Sequence, residues 1–375
     1  MSEWKEYKLG DLVKSVSDTY KFNTGEKVVF LNTSDILDGE FLHHTYSDTN
    51  TLPGQAKKKI QRGDILFSEI RPANRRFAMV NFDCDDYVVS TKLMVLRCNE
   101  KIDNSFLYLF LTSKDVLEYL QMVAEDRSGT FPQITFDIIA NMDVSLPPLD
   151  EQKRIAGVLS SLDDKIDLLH RENATLEALA ETLFRHYFIE NPCYGVGSAD
   201  NPTWKEGKLG EFINIGSGKA LKHNDFVNEG LYPVLGANGE IGRANEYLVN
   251  ETDRVLYTGR VGTLGKVFRL EGERAWLSDN TLVIKPKCHF NYVYFLLKQA
   301  NLQDLDVGST QPLIRQSDVV DIDVIIPNDS IIDAFEKEVC PLFEKIKSNQ
   351  QQILTLTAQR NTLLSRIMSG ELKVA

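Results

Sequence analysis

Gly216-Ser217-Gly218-Lys219 places a lysine behind a glycine-rich turn, the arrangement that cradles a nucleotide phosphate. Such a loop needs a glycine five residues before the Gly-Lys pair and Ser or Thr after it. Position 213 is Ile and position 220 is Ala, so the match fails at both ends. Ser278-Asp279-Asn280 matches one β-lactamase tripeptide, but Lys-Thr-Gly is absent and Ser-x-x-Lys occurs only at residues 2–5. The six histidines (43, 44, 170, 186, 223 and 289) lack metal-ligand spacing, and His43-His44 reads as a loop pair. The five cysteines (84, 98, 193, 288 and 340) form no Cys-x-x-Cys pair, which argues against a disulfide framework and against structural zinc.

Asn191-Pro192-Cys193-Tyr194 is one residue away from the Asn-Pro-Pro-Tyr loop with which adenine methyltransferases hold a target amino group. The third residue is Cys and no glycine-rich cofactor strand precedes it, so it reads as a turn that ends a helix. With no nucleophile beside a base and no cofactor loop, the expectation is a non-catalytic recognition or scaffold protein that holds no metal and no cofactor of its own.

Basic residues recur beside glycines. The first half carries Lys57, Lys58 and Lys59, then Arg71, Arg75 and Arg76, then Lys92; the second carries Lys219, Lys222, Asn224, Asn238, Arg243, Arg260 and Lys266. Lysine positions a protein on phosphate, whereas Arg reads guanine and Asn or Gln reads adenine. Arg71 and Arg260 each stand seven residues after an aspartate (Asp64 and Asp253), so they are read as equivalent. Each is either a DNA contact or the partner of its own aspartate, and Gln133 and Gln311 stay equally open. The net charge of -12 lowers the prior for nucleic acid, and no segment is a basic tail. Any DNA contact must therefore come from local basic loops on an acidic body.

These residues are positioned by two copies of one design. Trp4-Lys5-Glu6-Tyr7-Lys8-Leu9-Gly10-Asp11 returns as Trp204-Lys205-Glu206-Gly207-Lys208-Leu209-Gly210-Glu211. Asn104 to Phe110 returns from Asn291, Thr130-Phe131-Pro132-Gln133-Ile134 as Thr310-Gln311-Pro312-Leu313-Ile314, and Asp143-Val144 as Asp323-Val324. Strands are expected at Val28–Leu31, Asp64–Phe67, Tyr87–Val89 and Leu93–Leu96, with a helix from Phe106 to Leu120 and its second copy from Tyr292. Each globular part is α+β.

After each globular part comes a helix with a heptad seam. The first seam is Ile155, Leu159, Leu162, Ile166, Leu169, Asn173, Leu176, Ala180, Leu183 and Tyr187. The second is Phe335, Val339, Leu342, Ile346, Asn349, Ile353, Leu356, Arg360, Leu363 and Ile367. A helix of ~37 residues is roughly 55 Å long and cannot bury such a stripe alone. The simplest partner is the other helix, in an antiparallel intramolecular coiled coil; the alternative is that each packs on its own domain. Asn173 and Asn349 would fix register, and Gly370 would cap the second helix.

The expected division is a first globular domain at 1–148, a helix at 149–190, a linker at 191–203, a second domain at 204–327, a helix at 328–370 and a tail at 371–375. No apolar run is long enough for a membrane span and the start does not read as a signal peptide, so a cytoplasmic protein is expected.

Pro147-Pro148-Leu149-Asp150-Glu151-Gln152-Lys153-Arg154-Ile155-Ala156 resembles the opening of the helical region in specificity subunits of type I restriction-modification systems. Leu162-Asp163-Asp164-Lys165-Ile166-Asp167 and Leu183-Phe184-Arg185-His186-Tyr187-Phe188 resemble its body, and the Trp4 and Trp204 openings resemble those of its target-recognition domains. The second helix departs from the pattern, opening Ser330-Ile331-Ile332-Asp333-Ala334-Phe335. The resemblance spans essentially the whole chain. It implies a non-catalytic subunit whose two domains each read half of a bipartite double-stranded DNA target. Its helices would set the spacing and dock two modification subunits along their seam. S-adenosylmethionine, ATP and Mg would sit on those partners and on restriction/translocase subunits, and the subunit would be prokaryotic and nucleoid-associated through DNA. Two other classes remain beside it: a coiled-coil scaffold for proteins alone, and a stand-alone methyltransferase or nuclease.

Overall fold

The structure, a computed structural model, describes residues 4–127, 131–190, 204–308, 311–368 and 371. The Asn191-Pro192-Cys193-Tyr194 turn, the linker at 191–203 and Gly370 lie outside the described residues. The chain forms two compact units, residues 1–168 with 352–375 and residues 169–351.

The first unit contains strands β1 (Lys5–Lys8), β2 (Val13–Val16), β3 (Lys27–Leu31), β4 (Ile36–Leu37), β5 (Glu40–Phe41), β6 (Tyr46–Asp48), β7 (Ala56–Lys59), β8 (Ile65–Ser68), β9 (Phe77–Met79), β10 (Tyr87–Ser90), β11 (Leu93–Cys98) and β12 (Asp143–Leu146). Two four-stranded sheets, β6-β3-β10-β7 and β2-β11-β8-β9, carry most of them, and β1 pairs with β12. The expected strands are all present. The expected helix is instead two, α1 (Asn104–Leu111) and α2 (Lys114–Arg127). The break falls where the hydroxyls of Thr112 and Ser113 bond back to the carbonyls of Tyr108 and Phe110, at 2.8 and 2.7 Å. Such local bonds compete with helix continuation. A short helix, α3 (Phe136–Ala140), precedes β12.

The long helix α4 (Leu149–Arg185) starts in the first unit and ends in the second. The second unit adds β13 (Lys205–Lys208), β14 (Ile213–Ser217), β15 (Tyr232–Gly236), β16 (Gly239–Ala244), β17 (Arg254–Gly259), β18 (Val267–Glu271), β19 (Trp276–Leu277), β20 (Thr281–Pro286) and β21 (Asp323–Ile326). Its helices are α5 (Phe290–Gln299), α6 (Gln316–Val320) and α7 (Asp329–Met368), the last returning into the first unit.

The duplication holds at the level of hydrogen bonds. The sheet β14-β20-β17-β18 repeats β2-β11-β8-β9, and β13 with β21 repeats β1 with β12. Lys8 meets Asp143 at 2.7 Å and Lys208 meets Asp323 at 2.6 Å. The parallel pair β3/β10 has its counterpart in β15/β19.

Within each unit, α4 and α7 segments run antiparallel. In the first, Ile155 and Leu159 share a core with Leu364 and Ile367, and Asp163 pairs with Arg360 at 3.1 Å. In the second, Asn173 bonds Asn349 and Phe184 packs on Phe335. Every described seam position is buried or half-buried, and the residues between them are largely exposed. Each buried Leu or Ile contributes about 1.5–3 kcal/mol. Arg360 keeps a seam place because its guanidinium reaches the half-buried Asp163.

Candidate nucleic-acid interface

Strand β7 places the three consecutive lysines on opposite faces, because side chains alternate along a strand. Lys57 and Lys59 are exposed, and Lys59 lies 3.8 Å from Asp85. Lys58 is buried and its ammonium donates to the carbonyl of Leu93 at 2.7 Å. Burial holds its pKa below the ordinary lysine value, with the Glu69 carboxylate offsetting part of that effect. Lys58 therefore supports the sheet and does not face a ligand, a correction to the expectation for all three lysines.

Arg75 and Arg76 are also tied internally. Arg75 pairs with Asp38 at 2.6 Å, and Arg76 donates to the carbonyls of Ser34 and Ile36 at 3.1 and 3.0 Å. Arg243 donates to the carbonyls of Gly230 and Leu231 and pairs with Glu240. These three brace loops. Lys266 lies over the Phe268 ring at 4.8 Å with its surface exposed. Arg71, Lys92, Lys219, Lys222, Asn224 and Asn238 are exposed.

The equivalence of Arg71 and Arg260 does not hold. Asp64 and Asp253 do correspond, each accepting from the backbone three residues earlier (Gln61 at 2.9 Å, Asn250 at 3.1 Å). Their side-chain partners are neither of the two arginines. Asp64 holds Arg97 through two bonds of 2.8 and 2.9 Å, and Asp253 meets Lys285 at 3.6 Å. Strand β17 starts two residues earlier relative to its sheet than β8 does, since Leu256 opposes Ile284 where Ile65 opposes Leu96. That shift moves Arg260 onto the place of Glu69. Arg71 corresponds to Gly262, for the amide of Arg71 donates to Pro132 at 3.0 Å and that of Gly262 to Pro312 at 3.1 Å.

The Thr130–Ile134 motif and its copy, in their described parts, are thereby explained. They clamp the segment that leaves β8 or β17, through bridges Ile70–Gln133 and Val261–Leu313. The clamped segments carry Glu69 and Arg71 in the first unit and Arg260 in the second. Two residues past Ile314, whose amide donates to the Arg260 carbonyl, Gln316 donates to Ser217 at 2.9 Å, where β14 ends. The glycine-rich turn at Gly216–Lys219 holds packed backbone: a Cβ on Gly218 would collide with the carbonyls of Ser278 and Leu277.

Two side chains anchor the helices, a role the sequence signals only through the motifs that contain them. Gln152, 1% exposed, accepts from the Asp103 amide at 2.9 Å and donates to the carbonyls of Lys101 and Pro147 at 3.1 and 2.9 Å. It fastens the start of α4 to the first globular part. In the second unit buried Ile332 stands at the matching place and Glu336 takes over, accepting from Tyr292 at 2.9 Å and Asn291 at 2.6 Å. The sequence signal was the Glu-Gln-Lys-Arg opening, whose loss in the second copy coincides with this exchange. Phe184 is the other, stacked on Phe295 and packed against Tyr292 and edge-on against Phe335.

Among the described residues no group of three or more His, Cys, Asp or Glu side chains is placed to hold a metal. Nor, among the described residues, is any helix long and apolar enough to cross a membrane.

Comparison with known proteins agrees with this architecture. The model of the type I restriction modification DNA specificity domain matches twice, at residues 1–178 and 201–358. The type I restriction enzyme HindI specificity subunit of Haemophilus influenzae is 32% identical, over 99% of this chain and 100% of its own length. The MjaIX specificity subunit of Methanocaldococcus jannaschii is 26% identical over 93% and 88% respectively. The crystal structure of a type I restriction-modification system S subunit from M. genitalium superposes with a TM-score of 0.59 at 16% identity, covering 98% of this chain and 96% of that one.

Proposed function

Because the chain belongs to the type I restriction-modification DNA specificity family, we propose that each globular part reads one half of a bipartite double-stranded DNA target. As a specificity subunit it is a non-catalytic component of its complex. The observation that carries the reading is the pair of clamped loop segments after β8 and β17, repeated bond for bond in two units. Exposed Lys57, Arg71 and Lys92 in the first, and Lys219, Lys222, Asn224 and Asn238 in the second, supply phosphate and base-edge donors.

The helices set the gap between half-sites and dock two modification subunits, which carry S-adenosylmethionine; restriction subunits supply ATP- and Mg-dependent steps. Exposed Val158, Leu168, Leu179 and Leu354 on the outer helix surfaces support docking there. The duplicated halves suit two identical partners.

The test is methylation sequencing of cells that co-express this chain with its modification subunit. A split motif with a fixed gap is expected, and exchanging residues 1–148 should change one block alone. A complex that co-purifies but methylates nothing and shows no salt-dependent DNA affinity would leave a protein scaffold.

A further inference from the structure

Glu69 and Arg260 occupy one backbone position in the two units. The Glu69 amide donates to Lys92 at 3.2 Å and its carbonyl accepts from Ile134 at 2.8 Å. The Arg260 amide donates to Asn280 at 2.8 Å and its carbonyl accepts from Ile314 at 2.9 Å. The next residue in each case forms the bridge to the clamping segment. Gly259 before Arg260 leaves no room for a Cβ, which would collide with the Thr263 carbonyl. The position is therefore held rigidly on both sides, at the exit of a core strand.

The two side chains are half-exposed and make no hydrogen bond or close ion pair among the described residues, although the Glu69 carboxylate acts at longer range on the buried Lys58 ammonium. For Arg260 this is costly, because its Nε is buried without a partner. A fixed backbone with opposite charges excludes a shared structural ion pair. A shared phosphate contact is excluded too, since a carboxylate repels phosphate. What the two can share is a base edge in the major groove, read with opposite polarity. Arg donates both bonds to O6 and N7 of guanine, and Glu accepts from N4 of cytosine.

We propose that position 69/260 is a specificity-determining position of both units, with Arg260 selecting guanine in one half-site and Glu69 selecting cytosine in the other. The inference rests on the reading that each unit recognises half of a split target. Exposed Lys92 and Arg71 flank Glu69 and place it against the phosphate backbone despite its charge.

The experiment uses the full chain assembled with its modification subunits and maps the methylated motif for wild type, Arg260→Gln, Arg260→Lys and Glu69→Gln. Arg260→Gln should relax one G·C position in one block, or turn it towards A·T, with discrimination at that position falling about 5- to 150-fold. Every other position and the whole second block should be unchanged. Arg260→Lys keeps the charge but gives up the planar fork, so guanine selection should weaken at the same position by less than in Arg260→Gln, which locates the contact if Gln impairs folding. Glu69→Gln should relax one position in the other block only. Uniform weakening across all positions would identify phosphate contacts and overturn the proposal, as would unaltered motifs. A wild-type complex that methylates no split motif overturns the half-site reading and the inference with it, whereas an intact split motif in every variant sinks the inference alone.

Discussion

The amide of Asn349 donates to Asn173 Oδ1 at 2.9 Å and to Glu172 Oε2 at 3.0 Å, joining α7 to α4 across the seam. Asn349 is fully buried and its own Oδ1 has no hydrogen-bond partner. A buried polar pair of this kind lowers stability while penalising any other register. Replacing both asparagines by leucine should therefore raise the melting temperature by several degrees. Asn349→Asp should lower it, because burial and Glu172 both oppose the new charge, and acidification should restore it. Thermal denaturation followed by circular dichroism at pH 7 and pH 4 checks both.

Gln152 satisfies three backbone groups at the foot of α4. Gln152→Ala leaves them buried and unpaired, for a loss of about 2–4 kcal/mol. The loss should be confined to the first unit. Hydrogen exchange should quicken in α1 and the first turns of α4 while α5 stays protected, since Glu336 does the equivalent work there. Equal loosening of α5 would refute the assignment.

The three lysines of β7 should separate by role. On the assembled complex, Lys57→Ala or Lys59→Ala should weaken DNA binding equally for all sequences and lower the salt slope by about 0.9 for each lost phosphate contact. Neither should move the melting temperature by more than a degree or two. Lys58→Ala should do the reverse, because its ammonium bonds Leu93 inside the sheet.

This division is legible in the sequence. Ala56-Lys57-Lys58-Lys59-Ile60 alternates, and a strand there must turn its middle lysine inward. The helical seams were the easiest feature to read, because a period repeated over ten positions survives local exceptions such as Arg360. The pairing of Arg71 with Arg260 failed for the opposite reason. One spacing, Asp to Arg, was matched across a strand that had gained two residues, and only ladder register exposes such a shift. Nothing in the sequence marks Glu69, because sequence patterns for DNA contact rest on basic residues. The cut of Phe106–Leu120 into two helices rests on two hydroxyl-to-carbonyl bonds that propensity alone does not signal.

Acid should loosen the second unit first at α5. The Tyr294 hydroxyl donates to Glu177 at 2.7 Å, and Lys298 meets Glu177 and Glu181 at 3.2 and 3.0 Å. Burial alone would raise the Glu177 pKa, but Tyr294 and Lys298 outweigh it and hold the group below its ordinary 4.5. A folded value below the unfolded one contributes stability that is complete above about pH 4.5 and lost as pH falls through the folded value. Glu177→Gln should thus be less stable than wild type at neutral pH, and the two urea midpoints should converge towards pH 3. Parallel curves across pH 3–7 would show that Glu177 contributes nothing through its charge.

The matched pairs Asp64–Arg97 and Asp253–Lys285 offer a comparison within one chain. Asp64 is fully buried under a two-bond contact with Arg97, whereas the side chains of Asp253 and Lys285 are 35% and 51% exposed and 3.6 Å apart. Removing one partner of a buried pair strands a charge, at about 3–5 kcal/mol, whereas an exposed pair is worth less than about 1 kcal/mol. Arg97→Ala should therefore unfold the first unit at markedly lower urea concentration, and Lys285→Ala should leave the second nearly unchanged. Arg97→Lys should fall between them, since an ammonium gives up the forked geometry but keeps the charge. Urea denaturation read by hydrogen exchange in β8 and β17 separates the two units. Equal losses for Arg97→Ala and Lys285→Ala would mean that burial of Asp64 does not govern the energetics of the pair.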